Sequence, residues 1–79
     1  MAESDWVVKR EIATIDSHKK GTEIRVREIE AGGTSYIDIR EFGYLERSHK
    51  WIPTKRGLRL LPRETTDLTN ALLEFGGPE

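Results

Sequence analysis

The stretch TEIRVREIEAGGTSYIDIREF, Thr22 to Phe42, holds two runs of alternating apolar and polar residues around a pair of glycines. In the first run Ile24 and Val26 alternate with charged residues, and in the second Ile37 and Ile39 do so. Side chains alternate between the two faces of a strand, so each run predicts a strand with one apolar face. The glycines can adopt the positive φ of a tight connection, which predicts a β-hairpin. The predicted hairpin strands are Thr22 to Glu30 and Ser35 to Phe42.

Three further elements flank this hairpin. Trp6 to Ile15 is rich in β-branched residues and favours a strand. After a polar hairpin tip at Glu46 to Lys50, alternation returns at Leu58 to Leu60 and predicts a fourth strand. Pro62 suits the first turn of a helix, and Gly76 and the residues after it end that helix. The sequence thus predicts an α+β fold, an antiparallel four-stranded sheet followed by one C-terminal helix (ββββα).

Length and composition limit the functional classes. The chain of 79 residues is long enough for one domain with a thin core. We expect that domain at residues 6–76, with a flexible N-terminus at residues 1–5 and a flexible C-terminus at residues 77–79. Cysteine is absent, which excludes a disulfide scaffold and thiolate metal ligands. The sequence has no apparent signal peptide or membrane-spanning run, which favours a cytoplasmic or nuclear protein.

A basic run lies in the second half of the chain. Arg47 to Arg63, RSHKWIPTKRGLRLLPR, has six Arg and Lys residues and no Asp or Glu, although the whole chain has a formal net charge of -1. A chain with a pI near 6.1 can therefore still present a basic surface. The alternative is an ordinary solvated loop and strand.

Catalytic chemistry has little support in the sequence. His18 and His49 are isolated histidines in polar segments, so neither a metal site nor another cofactor is expected. Carboxylates on adjoining strands, such as Glu28 and Glu41, alternate with arginines, and cross-strand salt bridges explain them better than an acid and base pair. No phosphate loop, nucleophile elbow or dinucleotide-binding glycine pattern is present. We therefore expect a protein that is not an enzyme.

Binding chemistry has better support. If the apolar residues of the strands face the helix, alternation places arginines and aromatic residues together on the opposite face of the sheet. Guanidinium groups can bind phosphates there while aromatic rings stack on unpaired bases, which indicates a single-stranded nucleic acid as the ligand. The alternative is a polar face whose arginines pair with Glu23, Asp38 and Glu41. The residues of this predicted face are Arg25, Arg27, Tyr36, Arg40, Phe42 and Arg59.

The predicted helix has a second candidate contact surface. Leu68, Leu72 and Phe75 recur at helical spacing, whereas Leu73 lies away from that stripe among uncharged residues. Leu73 is either a single exposed leucine or part of a face that contacts a partner subunit. A protein-interaction module that joins a larger assembly through this face or through a sheet edge is the alternative function.

Two segments resemble a known family. YIDIREF at Tyr36 to Phe42 and PTKRGLRLLP at Pro53 to Pro62, followed by an amphipathic helix, resemble the single-stranded-DNA-binding domain of the transcriptional coactivator positive cofactor four and its bacterial and phage relatives. The resemblance extends from about Lys20 to Phe75. It implies a curved sheet, dimerisation through the helices and largely sequence-independent binding of single strands. It further implies a role in transcription or in replication and repair, with the corresponding machinery as partners, in the nucleoid region of a bacterium or in a nucleus.

The resemblance also assigns residues. Arg40 becomes a contact to the nucleic-acid backbone, Lys55 and Arg56 become phosphate ligands, and Lys20 becomes a basic contact where the hairpin opens. Where the family often has a phenylalanine and a tryptophan, this chain has Ile29 and Gly43, so Tyr44 or Trp51 would supply the missing stack. The expected nucleic-acid-binding residues are Lys20, Arg25, Arg27, Arg40, Phe42, Tyr44, Trp51, Lys55, Arg56 and Arg59. The expected homodimer interface contains Leu68, Leu72, Leu73 and Phe75.

Overall fold

Four antiparallel strands form one open sheet, and a single helix follows the last strand. The computed structural model describes residues 6–76, so the predicted flexible ends lie outside the described residues. The strands are adjacent in chain order, β1-β2-β3-β4. This confirms the predicted α+β class with the element order ββββα. The elements are β1 (Trp6–Asp16), β2 (Thr22–Ala31), β3 (Thr34–Leu45), β4 (Lys50–Leu60) and α1 (Pro62–Gly76).

The β2–β3 hairpin has the predicted connection. Gly32 and Gly33 have φ values of 59° and 83°, the positive values that a two-residue hairpin turn of type I′ requires. Val26 pairs with Ile39 on one face of the sheet, and Arg27 pairs with Asp38 on the other. The alternation in the sequence therefore corresponds to a real division between two faces.

The β3–β4 hairpin has a longer connection than the β2–β3 hairpin and is less regular. β3 continues to Leu45, and β4 already begins at Lys50, well before Leu58. Arg40 lies opposite Gly57 of β4 and Phe42 lies opposite Pro53, so the register shifts between these two positions. Such a bulge breaks the two-residue alternation, so only the last part of β4 has a strand signal in the sequence. Pro53 is tolerated because β4 is an edge strand.

The two faces differ in how well they are covered. The arginine face carries Arg25, Arg27, Arg40 and Arg59, and all the buried residues among residues 6–76 lie on it. The apolar face is only partly covered, and Leu58 on it is exposed. The buried residues are Arg27, Ile29, Asp38 and Phe42. The apolar face carries Ile24, Val26, Ile37, Ile39, Leu58 and Leu60.

The helix is capped at its start and exposed at its end. The carboxylate of Glu64 accepts a hydrogen bond from the backbone N–H of Leu61 at 2.8 Å, which is half of a capping box ahead of Pro62 at the first helical position. Thr65 and Leu68 are half-buried, whereas every later residue of α1 is exposed. No helix in the described part of the chain is long and apolar enough to cross a membrane.

Candidate nucleic-acid interface

The strand register places the four predicted arginines on one surface. In the strand register, Arg25 on β2 lies opposite Arg40 on β3. Asp38 on β3 lies opposite Arg27 on β2 and opposite Arg59 on β4. On β2 to β4, this face also has the carboxylates of Glu23 and Asp38, so positive charge exceeds negative charge there by two. On β1, Glu11 lies opposite Arg27 and Asp16 lies opposite Glu23 in the strand register, so β1 adds two acids to this face at its edge. The positive potential is therefore concentrated over β3 and β4.

A single buried carboxylate organises three of these arginines. Asp38 is 0% exposed. Arg40 donates to both of its carboxylate oxygens, from Nη2 at 3.1 Å and from Nε at 3.3 Å. The guanidinium groups of Arg27 and Arg59 each approach it to 3.6 Å. Because three positive charges surround one negative charge, the cluster has two positive charges in excess.

Arg27 is the most buried of these cations. Only 9% of its side chain is exposed, and its Nε has no hydrogen-bond partner in the described structure. Its guanidinium lies over the ring of Trp6, at 5.5 Å from Cζ to the ring centroid, and over the ring of Phe42 at 5.0 Å. Two aromatic rings thus replace water around the charge, an arrangement worth up to about 2 kcal/mol for a desolvated cation–π contact.

Contacts between aromatic rings and guanidinium groups continue across the whole face. Successive partners are 4.3 to 5.9 Å apart, measured from Cζ to ring centroid, and the series ends in a ring pair at 5.2 Å. We call this series the aromatic–guanidinium ladder. Its order is Tyr36, Arg59, Trp6, Arg27, Phe42, Arg25, Trp51 and Tyr44.

The aromatic residues of the ladder differ in accessibility. Phe42 is 4% exposed, because the guanidinium of Arg25 lies only 4.3 Å from its ring centroid. Tyr44 and Trp51, by contrast, are exposed and pack against each other at an interplanar angle of 57°. Tyr44 is also held by a 3.2 Å hydrogen bond between its hydroxyl and Nδ1 of His49. Phe42 therefore supports the arginines from below, while Tyr44 and Trp51 present ring surface to solvent.

Trp6 belongs to the ladder, although the sequence pattern does not predict it on the arginine face. It stands at the start of β1, and the register of β1 against β2 shifts twice, between Val8 and Arg10 and between Glu11 and Ala13. Simple alternation counted along β1 therefore does not predict which face a given residue occupies. The aromatic residue at the strand start is itself a signal, but its face depends on those bulges.

The basic residues of β4 and its neighbouring loops fall into two groups. Arg56 is paired with Glu41 at 3.2 Å, and Arg40 donates to the backbone oxygen of Thr54 at 3.2 Å, so Arg40 fastens the bulge. Five other cations make no ion pair with any described residue: four lie near the bulge or at hairpin ends, and Arg63 lies in the first turn of α1. These unpaired cations are Lys20, Arg47, Lys50, Lys55 and Arg63.

Gly57 lets β4 approach β3 at the arginine cluster. A Cβ atom at this position would lie 2.5 Å from the backbone oxygen of Ile39 and 2.9 Å from Cα of Arg40. Real Cβ atoms do not approach backbone atoms so closely, so a side chain here would force the strands apart. The glycine of the Lys55-Arg56-Gly57 segment therefore has a packing role beside Arg40.

The four leucine and phenylalanine residues predicted for the dimer interface differ in exposure. Leu68 is half-buried against the sheet, while Leu72, Leu73 and Phe75 are 56%, 63% and 89% exposed. A groove of about 180 Å³ on the sheet is lined by Ile24, Ile39 and Leu58 of the apolar face, together with Arg40, Glu41, Arg56 and Gly57. The apolar end of α1 and the groove are therefore both left uncovered by residues 6–76.

The described residues contain no group of three or more His, Cys, Asp or Glu side chains that could hold a metal ion. His18 and His49 lie in the two loops that follow β1 and β3.

The fold and this face define a class of protein, the open single-sheet α+β domains of order ββββα with a charged, aromatic sheet surface. Within that class, the structure is similar to the crystal structure of a PC4 homolog from Burkholderia pseudomallei, with a TM-score of 0.74 and 21% sequence identity over 89% of this chain and 92% of that one. PC4 is the positive cofactor four of the sequence resemblance, so the fold that this resemblance implied is confirmed. A scan against protein-family models and a search of curated proteins find no match.

Proposed function

We propose that this protein binds single-stranded nucleic acid on the arginine face. The observation that carries the proposal is the aromatic–guanidinium ladder, which runs across all four strands and presents ring surface at Tyr44 and Trp51. Base stacking on aromatic residues contributes about 1–3 kcal/mol per base, so two or three such contacts with charge assistance reach micromolar affinity, about −8 kcal/mol. The fold shared with a PC4 homolog supports the same ligand class.

The unpaired cations are the phosphate contacts in this proposal. The guanidinium groups of Arg27, Arg40 and Arg59 are already engaged by Asp38, so their hydrogen-bonding capacity is partly used within the protein. Lys55 has no such partner among the described residues and lies on β4 between Pro53 and Gly57, whose register partners Phe42 and Arg40 are on the arginine face. Lys50 is also unpaired among the described residues, but it lies opposite Leu45 and so faces away from Trp51. A strand whose bases stack on the ladder would therefore place phosphates beside Lys55.

Reading of a duplex groove fits this structure less well. The one helix of the described chain carries an acid in its first turn, Glu64, which would face phosphates if the helix entered a groove. The binding surface is instead a sheet face whose rings need unstacked bases. Non-specific preference for single strands over duplex follows from this arrangement.

Fluorescence anisotropy with labelled oligo-dT, the matched duplex and the corresponding RNA, each over a series of salt concentrations, tests the proposal. We expect single strands to bind more tightly than duplex, with affinity that falls as salt rises because bound counterions are released. Absence of binding at low salt, or a preference for duplex, would refute the proposal.

Lys55→Ala gives the residue-level test. Loss of one phosphate contact should lower the slope of log affinity against log salt by about 0.7 for a single strand. Lys9→Ala is the matched control, because it removes the same charge at a residue whose ion-pair partner, Glu30, lies on the opposite side of the sheet. An unchanged slope for Lys55→Ala would place the phosphates elsewhere. Arg56→Ala tests the phosphate role that the family resemblance gives to this residue. Its side chain is 72% exposed and pairs with Glu41 on the apolar side of the sheet, so the fold should stay intact, and unchanged affinity would exclude Arg56 from the site.

We further propose that the protein is a homodimer whose second copy covers the apolar face and the end of α1. Only two apolar side chains, Ile29 and Phe42, are buried among residues 6–76. A domain of this size without disulfide or metal usually needs additional buried area. A two-fold partner would supply it by placing its own Leu72 and Phe75 against the exposed apolar groove, since a two-fold interface is self-complementary.

Sedimentation equilibrium measures the dimer directly. We expect twice the monomer mass of 9.1 kDa at micromolar concentration. A monomer at all concentrations, or a stoichiometric complex with a different protein and no bound nucleic acid, would refute the homodimer and favour an interaction module.

A further inference from the structure

The position of Trp6 connects strands that are far apart in the sheet. Trp6 lies on β1, yet its ring contacts the guanidinium of Arg59 on β4 at 5.1 Å as well as that of Arg27 on β2 at 5.5 Å. β1 and β4 are the two edges of the sheet. A contact between opposite edges requires a face that curves inward, so Trp6 lies over the buried Asp38 cluster.

The Trp6 ring packs on two guanidinium groups of the Asp38 cluster. Arg27 and Arg59 both contact the ring, and both approach the carboxylate of Asp38 at 3.6 Å. Trp6 is only half-buried, so part of the residue stays accessible to solvent. An aromatic residue that packs on cations and stays accessible to solvent can stack on a base.

The two tryptophans of the chain stand at different places on the same ladder. Trp6 and Trp51 are the only tryptophans in the sequence. They are joined through Arg27, Phe42 and Arg25 by four contacts of 4.3 to 5.9 Å. A ligand that stacks on Trp51 and follows the ladder reaches Trp6 as the next aromatic residue that is not buried, because Phe42 lies between them and is buried.

We propose that Trp6 is a base-stacking residue that extends the nucleic-acid track from the β3–β4 hairpin to the opposite edge of the sheet. This inference rests on the proposed function. It assigns the start of β1 to the binding surface and makes Trp6 and Trp51 two separate stacking positions for one strand. It also gives Trp6 a second task, since its ring covers the charge of Arg27.

Intrinsic fluorescence of the two single-tryptophan variants tests this inference. In Trp51→Phe all indole emission comes from Trp6, and in Trp6→Phe it all comes from Trp51. We expect oligo-dT of about 16 nucleotides to quench both variants, whereas oligo-dT of about 4 nucleotides, near the lower limit of site sizes on single-strand-binding folds, should not quench both equally. Anisotropy of the labelled strand is recorded in the same samples.

The outcomes separate this inference from the proposed function. Binding detected by anisotropy with no change in Trp6 emission overturns the role of Trp6 and leaves the proposed function intact. Absence of binding to the unaltered protein overturns both. Trp6→Leu should weaken binding by about 5- to 150-fold, the value of one base stack, while Trp6→Phe should lose less. Far-UV circular dichroism of each variant checks the fold, and equal affinities for Trp6→Leu and the unaltered protein would also overturn the inference.

Discussion

Asp38→Asn is the substitution that most directly tests how the arginine face is built. The amide keeps the shape of the side chain and one acceptor oxygen for Arg40, but it removes the only negative charge that residues 6–76 place within 3.6 Å of Arg27 and Arg59. Three cations then face one another around a neutral group. Since Asp38 is 0% exposed and the side chain of Arg27 only 9%, water cannot take over the role of the carboxylate.

The expected cost follows from this burial. Removal of one partner from a buried ion pair usually destabilises a protein by about 3–5 kcal/mol, because the remaining charge stays buried and unpaired. A folded chain of 79 residues has a total stability of about 4–12 kcal/mol. Asp38→Asn should therefore remove a large part of the free energy of unfolding. At about 4–8 °C per kcal/mol, the melting temperature should fall by more than about 12 °C.

Urea denaturation followed by circular dichroism at fixed protein concentration measures this change. Glu30→Gln is the matched control, because it makes the same chemical change in an exposed pair, Lys9 with Glu30, whose side chains are 46% and 41% exposed. We expect the control to lose less than about 1 kcal/mol. If Asp38→Asn also loses less than about 1 kcal/mol, the guanidinium groups do not depend on the carboxylate, and the cluster does not organise the face.

Three further substitutions test other parts of the structure. Gly57→Ala should destabilise the domain by about 1–3 kcal/mol through overpacking against β3, whereas Gly43→Ala, whose new methyl group would meet only one side-chain atom at 3.9 Å, should be nearly neutral in the same urea assay. Equal effects would contradict the close approach of the strands. Leu72→Glu should convert the proposed dimer to monomer in sedimentation equilibrium, and an unchanged mass would exclude α1 from the interface. Glu64→Ala should lower stability by about 0.5–1 kcal/mol in thermal unfolding, because the N–H of Leu61 loses its acceptor, and no change would show that water replaces it.

Alternation in the sequence determined which face most residues occupy, but not what they do there. The pattern around Ile24, Val26, Ile37 and Ile39 correctly separated the two faces, since a two-residue period has one geometric solution in a regular hairpin. It could not show that Asp38 would bind three arginines. That arrangement depends on the central position of β3, which places a carboxylate within reach of cations from both neighbouring strands.

Irregularities in the strands account for what could not be predicted. The two register shifts in β1 hide the face of Trp6, and the bulge in β4 interrupts the alternation before Gly57. The same bulge brings Arg56 to Glu41, which pairs with Ile24 and so belongs to the apolar side of the sheet. The family resemblance assigned both Arg40 and Arg56 to the nucleic-acid-binding surface, whereas in the structure their ion-pair partners lie on opposite faces.

The unequal burial of the two faces indicates how assembly and binding are divided in this chain. Charged groups are costly to bury, yet the best-buried cluster is the ionic one around Asp38, while the apolar face remains partly open. A face that is already packed, paired and covered by its own rings needs little rearrangement when a ligand arrives, which lowers the entropy cost of binding. The open apolar face, in contrast, gains most from a second copy. Dimerisation should therefore raise stability and add a second binding face, while the geometry of each arginine face is set within its own chain.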